Sequence, residues 1–224
     1  MRLPTTIVFD LDGTLVDTGP DLTDALNHAL RALGRPPVAE AAVRDMVGSG
    51  ALKLIERGLA ATGADAEELR RAMMPLFLDH YAANIAARSR PYPGCEAALA
   101  ALAEAGCRLA ICTNKRTDLS RLLVDALGWS GRFAAIVGSD AVPARKPDPG
   151  HLLAAIAAAG GDPADALFVG DTHFDSQAAQ AAGIPFVAVA FGFAAEPVEG
   201  LGADAVIDHF DALVPAIRRI LARS

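Results

Sequence analysis

Short apolar runs alternate along this chain with longer segments in which apolar residues recur every three or four positions. The short runs predict β-strands at Thr5–Asp10, Arg108–Thr113, Ala134–Gly138, Ala166–Gly170, Pro185–Phe191 and Ala205–Ile207. The periodic segments predict helices at Cys95–Ala105, Thr117–Leu127, Pro149–Gly160, Asp175–Ala182 and Phe210–Ala222. Because strands alternate with helices, the chain is predicted to form an α/β fold with a doubly wound, Rossmann-like parallel sheet.

One region lacks this alternation. Between Asp17 and about Arg88 the apolar residues follow helical spacing only, as at Leu22, Leu26 and Leu30. The stretch RSRPYPGCE then has the proline and glycine content of a linker. The sequence therefore predicts a helical domain at residues 16–88, inserted after the first strand of a core made of residues 1–15 and 89–224. Pro75 is expected to bend the last inserted helix or to lie near its end.

Composition excludes several classes of protein. Of the 224 residues, 52% are hydrophobic and 21% charged, which is typical of a globular chain, and the net charge of −7 disfavours a nucleic-acid partner. Cys95, Cys107 and Cys112 lack the spacing of a metal site and are interpreted as buried thiols of a reducing compartment. No signal peptide or membrane span is recognisable. We expect a cytoplasmic protein without a membrane partner, either a monomer or a small homo-oligomer.

Two carboxylates follow the first strand in the stretch FDLDGT. Asp10 and Asp12 point to the same side of an extended chain, and Gly13 and Thr14 allow a turn and supply a hydroxyl. Two carboxylates this close repel each other unless a cation neutralises them, and Mg²⁺ prefers such oxygen ligands. Two aspartates at this spacing could also belong to a solvated turn. The complete stretch, with Gly13 and Thr14, favours the metal site over that turn.

Other strand ends carry groups suited to an anion. Thr113 and Asn114 follow the second core strand as neutral donors, with Lys115 and Arg116 adding positive charge; an ordinary helix cap explains the first two equally well. Lys146 lies in the proline-rich loop RKPDP, where it acts either as a placed point charge for phosphate or as a surface lysine.

The stretch VGDTHFD ends the strand predicted at residues 166–170. Asp171 is a candidate metal ligand, whereas Asp175 either caps the next helix or supports the metal from behind. Ligands bind outside the carboxyl ends of strands in parallel sheets, so these acids are expected to meet the Asp10 pair at one edge.

Four segments, FDLDGTLVDT, ICTNK, RKPDP and VGDTHFD, resemble the motifs of the haloacid dehalogenase-like hydrolase superfamily, in order and over nearly the whole chain. Within this superfamily the chain most resembles the phosphoglycolate phosphatases, on the insert segment MVGSGALKLIERGL together with TNK and RKPDP. The resemblance implies that the insert is a mobile cap over the active site. It also implies a phosphatase of cytoplasmic carbohydrate metabolism that acts on a small phosphorylated metabolite.

The resemblance also implies residue roles. Asp10 is the expected nucleophile, and Asp12 the acid that protonates the leaving alcohol and later the base that deprotonates water. The expected phosphate-binding residues are Thr113, Asn114 and Lys146. The expected Mg²⁺ ligands are Asp10, the carbonyl of Asp12 and Asp171, with Asp175 in support.

Loops of a cap select the substrate. The loop expected to supply backbone donors consists of Gly48, Ser49 and Gly50. Lys53 and Arg57, on the helix that follows, are candidates to meet a substrate carboxylate, or else are solvent cations. His173 either contacts the substrate or is an exposed loop histidine.

The leading functional hypothesis is a Mg²⁺-dependent phosphatase that hydrolyses 2-phosphoglycolate through an aspartyl-phosphate. Phosphatases for sugar phosphates, nucleotides or pyrophosphate, and a phosphomutase, share the same core residues. A phospho-accepting receiver module also has a parallel sheet and an aspartate, but it is shorter and has no helical insert. A dehalogenase lacks the second motif aspartate, and no P-loop sequence is present here.

Overall fold

The computed structural model describes residues 3–63, 66–193 and 197–223. Residues 1–2, 64–65, 194–196 and 224, which the predicted domain ranges include, lie outside it. The strands are β1 (Thr6–Phe9), β2 (Val16–Asp17), β3 (Arg90–Pro91), β4 (Arg108–Cys112), β5 (Ala135–Val137), β6 (Ala166–Gly170), β7 (Phe186–Val189) and β8 (Ala205–Ile207). The helices are α1 (Gly19–Ala32), α2 (Glu40–Arg44), α3 (Ala51–Ala61), α4 (Glu67–Ala83), α5 (Cys95–Glu104), α6 (Thr117–Ala126), α7 (Pro149–Ala158), α8 (His173–Ala182) and α9 (Leu213–Leu221).

Six of the described strands form one parallel sheet in the order β5-β4-β1-β6-β7-β8. In the centre, Ile7 pairs with Leu109 on one side and with Leu167 on the other. From β1 the chain builds β4 and β5 on one side and then β6 to β8 on the opposite side. The predicted α/β fold with a parallel sheet is confirmed, and the reversal of strand order beside β1 creates a crevice at the carboxyl ends of the strands.

Helices cover both faces of this sheet, which explains why its strands lack polar alternation. Ile7 and Phe9 of β1 point into a cluster shared with α5, α6 and α9, whereas Val8 points into a second cluster shared with α7 and α8. All three cysteines are buried and unbonded to one another, as predicted.

Element ends either match the predictions or differ from them by at most three residues. Helix α8 begins at His173 because Thr172 and Asp175 form a reciprocal capping box, so Asp175 lies in the first turn rather than at the start of the helix. The last predicted helix is divided into a 3₁₀ turn at Phe210–Ala212 and α9. Pro75 lies in the interior of α4, away from both ends.

The insert is attached through a short two-stranded ribbon that the sequence did not predict. Val16 pairs with Pro91 and Asp17 with Arg90, in antiparallel register, where the chain leaves and re-enters the core. Two residues per strand are too few to produce a periodic signal. Between the two strands lie α1 to α4, and α1 packs against both α3 and α4.

Asp21 of α1 fixes the returning connection. Its buried carboxylate accepts hydrogen bonds from the backbone N–H of Arg88 at 3.0 Å and from both the N–H and the hydroxyl of Ser89, at 2.7 and 2.6 Å. A carboxylate with this many donors is a strong point of attachment, because hydrogen bonds to charged groups are worth about twice those between neutral groups.

Replacing Asp21 by Asn is expected to lower the free energy of unfolding by about 2–4 kcal/mol, because an amide has one acceptor atom and sets an N–H₂ against the remaining donors. Urea unfolding monitored by circular dichroism measures this. The matched control is Asp24→Asn, one turn along α1, whose half-exposed carboxylate pairs with the Arg88 side chain and is expected to cost much less. Equal losses in the two variants would contradict the prediction.

Candidate active site

Three adjacent strands, β1, β4 and β6, deliver polar side chains to the crevice. Asp10 directly follows β1, Thr113 follows β4 and Asp171 follows β6. The ladders continue one step past the strands, since the N–H of Asp10 donates to Val169 O at 2.9 Å and that of Thr113 to Val137 O at 3.1 Å. The candidate nucleophile is therefore held by the rigid part of the sheet.

Lys146 lies beneath Asp10. Its ammonium is 3.0 Å from Asp10 Oδ1, 2.6 Å from Asp175 Oδ1 and 2.7 Å from the carbonyl oxygen of Cys112, and the residue is almost fully buried. Burial by itself lowers the pKa of Lys146, but Asp10 and Asp175 outweigh this effect and raise it, so the lysine stays charged.

His151 supports the backbone of the Lys146 loop. Its Nδ1 accepts the backbone N–H of Lys146 at 3.2 Å, and its Nε2–H donates to Val137 O at 3.1 Å. These two bonds fix the neutral form of the ring, and the residue is fully buried. Burial, and then the charge of Lys146, lower the pKa of His151 to about 4.

Asp171 is fully buried beside the first turn of the chain after β1. Its Oδ1 accepts from the hydroxyl of Thr14 at 2.8 Å and its Oδ2 from the N–H of Phe193 at 2.7 Å. Gly13 approaches this carboxylate with φ +86°, and a Cβ at that position would collide with Asp171 and with the ring of Phe193. Glycine is therefore required here both for its backbone angle and for the close approach.

The site has more negative than positive charge. Asp10, Asp171 and Asp175 each place a carboxylate oxygen within 4.8 Å of the other two, with the ammonium of Lys146 beside them. Burial raises the pKa of Asp10 to about 7, although Lys146 acts to lower it. Burial, followed by the charges of Asp175 and Asp10, also raises the pKa of Asp171. A donor set of buried, mutually repelling carboxylates fits a hard divalent cation such as Mg²⁺.

Asp12 and Asp10 have different surroundings. The carboxylate of Asp12 is 2.8 and 3.1 Å from the ammonium of Lys115, which also contacts the hydroxyl of Tyr81 at 2.6 Å. Tyr81 belongs to α4, so a charged contact joins the insert to the loop after β4. The two acids that the sequence placed two residues apart thus have separate cationic partners, Lys146 for Asp10 and Lys115 for Asp12.

A cavity of about 350 Å³ lies between the insert and the crevice. The core side of its wall includes Asp10, Asp12, Thr113, Asn114, Lys115 and Arg145, and the insert side includes Leu22, Val47, Leu54, Met74, Phe77 and Tyr81. Asn114 closes one side, since its Nδ2 donates to Gly48 O and to Lys146 O, both at 3.1 Å. The predicted site residues from the strand ends are thereby brought together.

Of the insert residues predicted to meet the substrate, the loop residues lie at or beside the cavity. Gly48 and Gly50 line the cavity, and Gly50 has φ +81° with Asn114 O close by. Ser49 is buried beside them, and its hydroxyl has no hydrogen-bond partner among the described residues.

The two cations of α3 are not brought to the cavity wall. Lys53 is half exposed and pairs with Glu56 at 2.6 Å, and Arg57 donates to Met46 O at 2.9 Å. His173 lies in the first turn of α8 with its ring against Phe174.

Tyr81 and Arg145 are wall residues that sequence reasoning missed. Tyr81 follows Met73 and Phe77 at helical spacing, which reads as part of an apolar stripe. The hydroxyl of Tyr81 could have indicated a polar contact at this position, because a buried tyrosine usually has a hydrogen-bond partner. Arg145 precedes Lys146 in the sequence, and nothing local distinguishes it from an ordinary surface arginine.

The chain matches known proteins over most of its length. A family model described as haloacid dehalogenase-like hydrolase matches residues 7–189. The chain is 51% identical to a phosphoglycolate phosphatase of Caulobacter vibrioides, over 92% of this chain and 87% of the relative. It is 50% identical to one of Mesorhizobium japonicum, over 97% and 96% of the two chains.

Solved structures show the same fold. A predicted phosphoglycolate phosphatase from Haemophilus somnus superposes with a TM-score of 0.91 at 31% identity, covering 96% of this chain and 98% of that one. CbbY from Rhodobacter sphaeroides, solved in complex with phosphate, superposes with a TM-score of 0.82 at 24% identity, covering 96% and 100% of the two chains, which shows the fold alone. No described helix of the present protein is both long and apolar enough to cross a membrane.

His151 is expected to make the protein less stable in acid. The unfolded chain takes up this proton below about pH 6.5, whereas the folded protein resists it until about pH 4, so stability is lost as the pH falls between these values. The contribution of this histidine is on the order of 3 kcal/mol. Unfolding free energies of the wild type and of His151→Asn, measured from pH 4 to 7, should show a shallower pH dependence in the variant.

The control for this measurement is His209→Asn, since the His209 side chain is 45% exposed. That variant should keep the wild-type pH dependence. Parallel curves for His151→Asn and the wild type would contradict the assignment of the acid loss to His151.

Proposed function

The chain belongs to the haloacid dehalogenase-like hydrolase family, and we propose that it is a Mg²⁺-dependent phosphatase that hydrolyses 2-phosphoglycolate through an aspartyl-phosphate. Phosphoric monoester hydrolysis is the activity named for relatives that match over 90% of this chain or more. The relatives' shared substrate name supports 2-phosphoglycolate as the metabolite, and the inserted helices are proposed to serve as the cap that covers it.

One observation carries the proposal: Asp10 and Asp171, 161 positions apart in the chain, lie with Asp175 and Lys146 in a buried cluster below the cavity. A buried group of like charges is costly and persists where it serves chemistry. Mg²⁺, when bound by Asp10, the Asp12 carbonyl and Asp171, supplies the positive charge that lets an anionic carboxylate approach an anionic phosphate.

The first step forms the covalent intermediate. A carboxylate oxygen of Asp10 attacks phosphorus, a bond forms between them, and the bond from phosphorus to the ester oxygen breaks. The electron pair of that bond stays on the ester oxygen, which takes the proton of Asp12 and leaves as an alcohol. Lys146 stays beside Asp10 throughout and stabilises charge on the transferring phosphoryl group.

The second step releases phosphate. Asp12, now a carboxylate, removes a proton from a water molecule whose oxygen attacks phosphorus, and the bond to Asp10 breaks. Thr113 is suited to hold the phosphoryl group, because its oxygen already accepts the N–H of Lys115 at 3.2 Å and its hydroxyl hydrogen remains available to donate. Asn114 and Lys146 complete the proposed phosphate site.

The direct test is phosphate release from 2-phosphoglycolate with Mg²⁺ present. The wild type is expected to turn over, and Asp10→Asn to lose activity below detection, because an amide does not form the intermediate. Thr113→Ala is expected to reduce kcat by about 10²-fold, the usual cost of one donor to a transition-state oxyanion. The control Asp208→Asn, at an exposed position, should retain wild-type turnover.

The same assay distinguishes rival activities. Glucose phosphates, nucleotides and pyrophosphate are tested beside 2-phosphoglycolate, with product analysis to detect phosphate returned to a sugar. Inactivity on every ester would refute the phosphatase, whereas equal rates on all of them would refute only the choice of 2-phosphoglycolate.

Metal affinity is expected to increase with pH through pH 7, because two proposed ligands, Asp10 and Asp171, have raised pKa values. Asp10 keeps its proton up to about pH 7 in the folded protein, and a metal must displace that proton to bind. One displaced proton weakens binding by about tenfold per pH unit below the pKa. Calorimetric titration of Mg²⁺ at pH 5.5, 6.5, 7.5 and 8.5 measures the trend, which should be weaker in Asp10→Asn but not absent, because the pKa of Asp171 is also raised. Affinity independent of pH across this range would contradict the prediction.

A further inference from the structure

Among the described residues, three cationic side chains line the cavity, and their surroundings differ. Arg116 is half exposed and already bound by the carboxylate of Asp118, with nitrogen to oxygen distances of 2.8 and 3.1 Å. Arg145 lies in an exposed loop beside Gly50. Lys115 is the buried one, with only 5% of its side chain exposed. A buried cation in a substrate cavity is the best placed of the three to bind an anion strongly.

Lys115 lies between the core and the insert. Its ammonium touches both carboxylate oxygens of Asp12 and the hydroxyl of Tyr81, and it lies 4.5 Å from the centre of the Tyr81 ring. Burial acts to lower the pKa of Lys115, but Asp12 and Tyr81 outweigh it and raise it. The side chain therefore presents a full positive charge to the cavity.

The chemistry of the proposed reaction relates this position to the substrate. Asp12 serves the ester oxygen that leaves, and in 2-phosphoglycolate a single methylene separates that oxygen from the carboxylate. A substrate whose ester oxygen meets Asp12 therefore brings its carboxylate close to whatever else Asp12 touches. In this structure that neighbour is the ammonium of Lys115, at 2.8 Å.

The ammonium also has the capacity for a second anion. The ammonium of Lys115 donates to both carboxylate oxygens of Asp12 and to the hydroxyl oxygen of Tyr81. When one oxygen of Asp12 turns toward the ester oxygen, Lys115 keeps the other oxygen and regains a free N–H. This N–H can then donate a charge-assisted hydrogen bond to a substrate carboxylate.

We propose that Lys115 binds the carboxylate of 2-phosphoglycolate and of related esters that carry a carboxylate on the carbon next to the ester oxygen, and so selects them over phosphate esters whose alcohol part is uncharged. The proposal rests on the phosphatase function proposed above and names the residue that determines its specificity. It replaces the expectation that Lys53 or Arg57 meets the carboxylate, because those side chains are directed to Glu56 and to Met46 O.

Tyr81 is a positioning residue in this scheme. It comes from α4 of the insert and acts on the substrate through Lys115, whose ammonium it holds at 2.6 Å. The contact exists only when the insert lies over the crevice as it does here. The substrate carboxylate site is therefore complete only in the covered arrangement, which ties recognition of the charged end to the exclusion of water.

The test compares two esters that differ in one group. 2-Phosphoglycolate carries a carboxylate where ethyl phosphate carries a methyl group, and kcat/KM is measured for both with Mg²⁺. For Lys115→Met, we expect a loss of about 10²-fold on 2-phosphoglycolate, the cost of a charged hydrogen bond, and a much smaller loss on ethyl phosphate. For Tyr81→Phe, which keeps the ring, we expect a smaller loss in the same direction, expressed mainly in KM for 2-phosphoglycolate.

The outcomes separate the possible failures. Equal losses on both esters would mean that Lys115 acts only through Asp12, which overturns the proposal. A selective loss in Lys53→Met or Arg145→Met, with none in Lys115→Met, would overturn it in favour of another cation. Tyr81→Phe supplies an independent reading should Lys115→Met not fold. A wild type inactive on both esters would refute the phosphatase function itself.

Discussion

The repulsion among three buried carboxylates is the constraint on which the rest of this structure depends. Asp10, Asp171 and Asp175 converge from two strand ends and the first turn of one helix, with Lys146 beside them. Their proximity is costly because burial weakens the solvation of charge. The sheet tolerates this cost because the positions are fixed by the parallel ladders of β1 and β6, and because Asp175 is also tied into the capping box of α8.

Each carboxylate in the crevice has a distinct set of partners, and the differences match the distinct roles proposed for them. Asp171 is bound by donors on both oxygens and has little freedom to move. Asp10 has the ammonium of Lys146 3.0 Å from its Oδ1 and lines the cavity. Asp12 is paired with Lys115, which also touches the insert. These contacts fit the roles proposed for the three residues, a fixed metal ligand for Asp171, the nucleophile for Asp10 and an acid coupled to the covering helices for Asp12.

Most of the fold could be predicted from the sequence, because buried parallel strands and amphipathic helices give strong periodic signals. The strand-end residues of the site followed from the same reasoning, since a polar residue directly after an apolar run has a defined place in a parallel sheet. The β2–β3 ribbon escaped detection because two residues have no period. Tyr81 escaped because its position in an apolar stripe and its contact with Lys115 depend on how α4 lies over the sheet, which no local pattern encodes.

The same electrostatics explains why the two buried cations of the site, Lys115 and Lys146, are lysines and not arginines. Only three of the twenty basic residues of this chain, Lys53, Lys115 and Lys146, are lysines, and two of those three are buried in the crevice. A guanidinium is planar and binds a carboxylate best through two parallel hydrogen bonds. An ammonium is compact and can donate in several directions. Lys146 has to reach two carboxylates and a carbonyl at once, and Lys115 a carboxylate after β1 and a hydroxyl of α4. Converging partners of this kind favour a point charge, which is why lysine occupies these two positions in a chain otherwise rich in arginine.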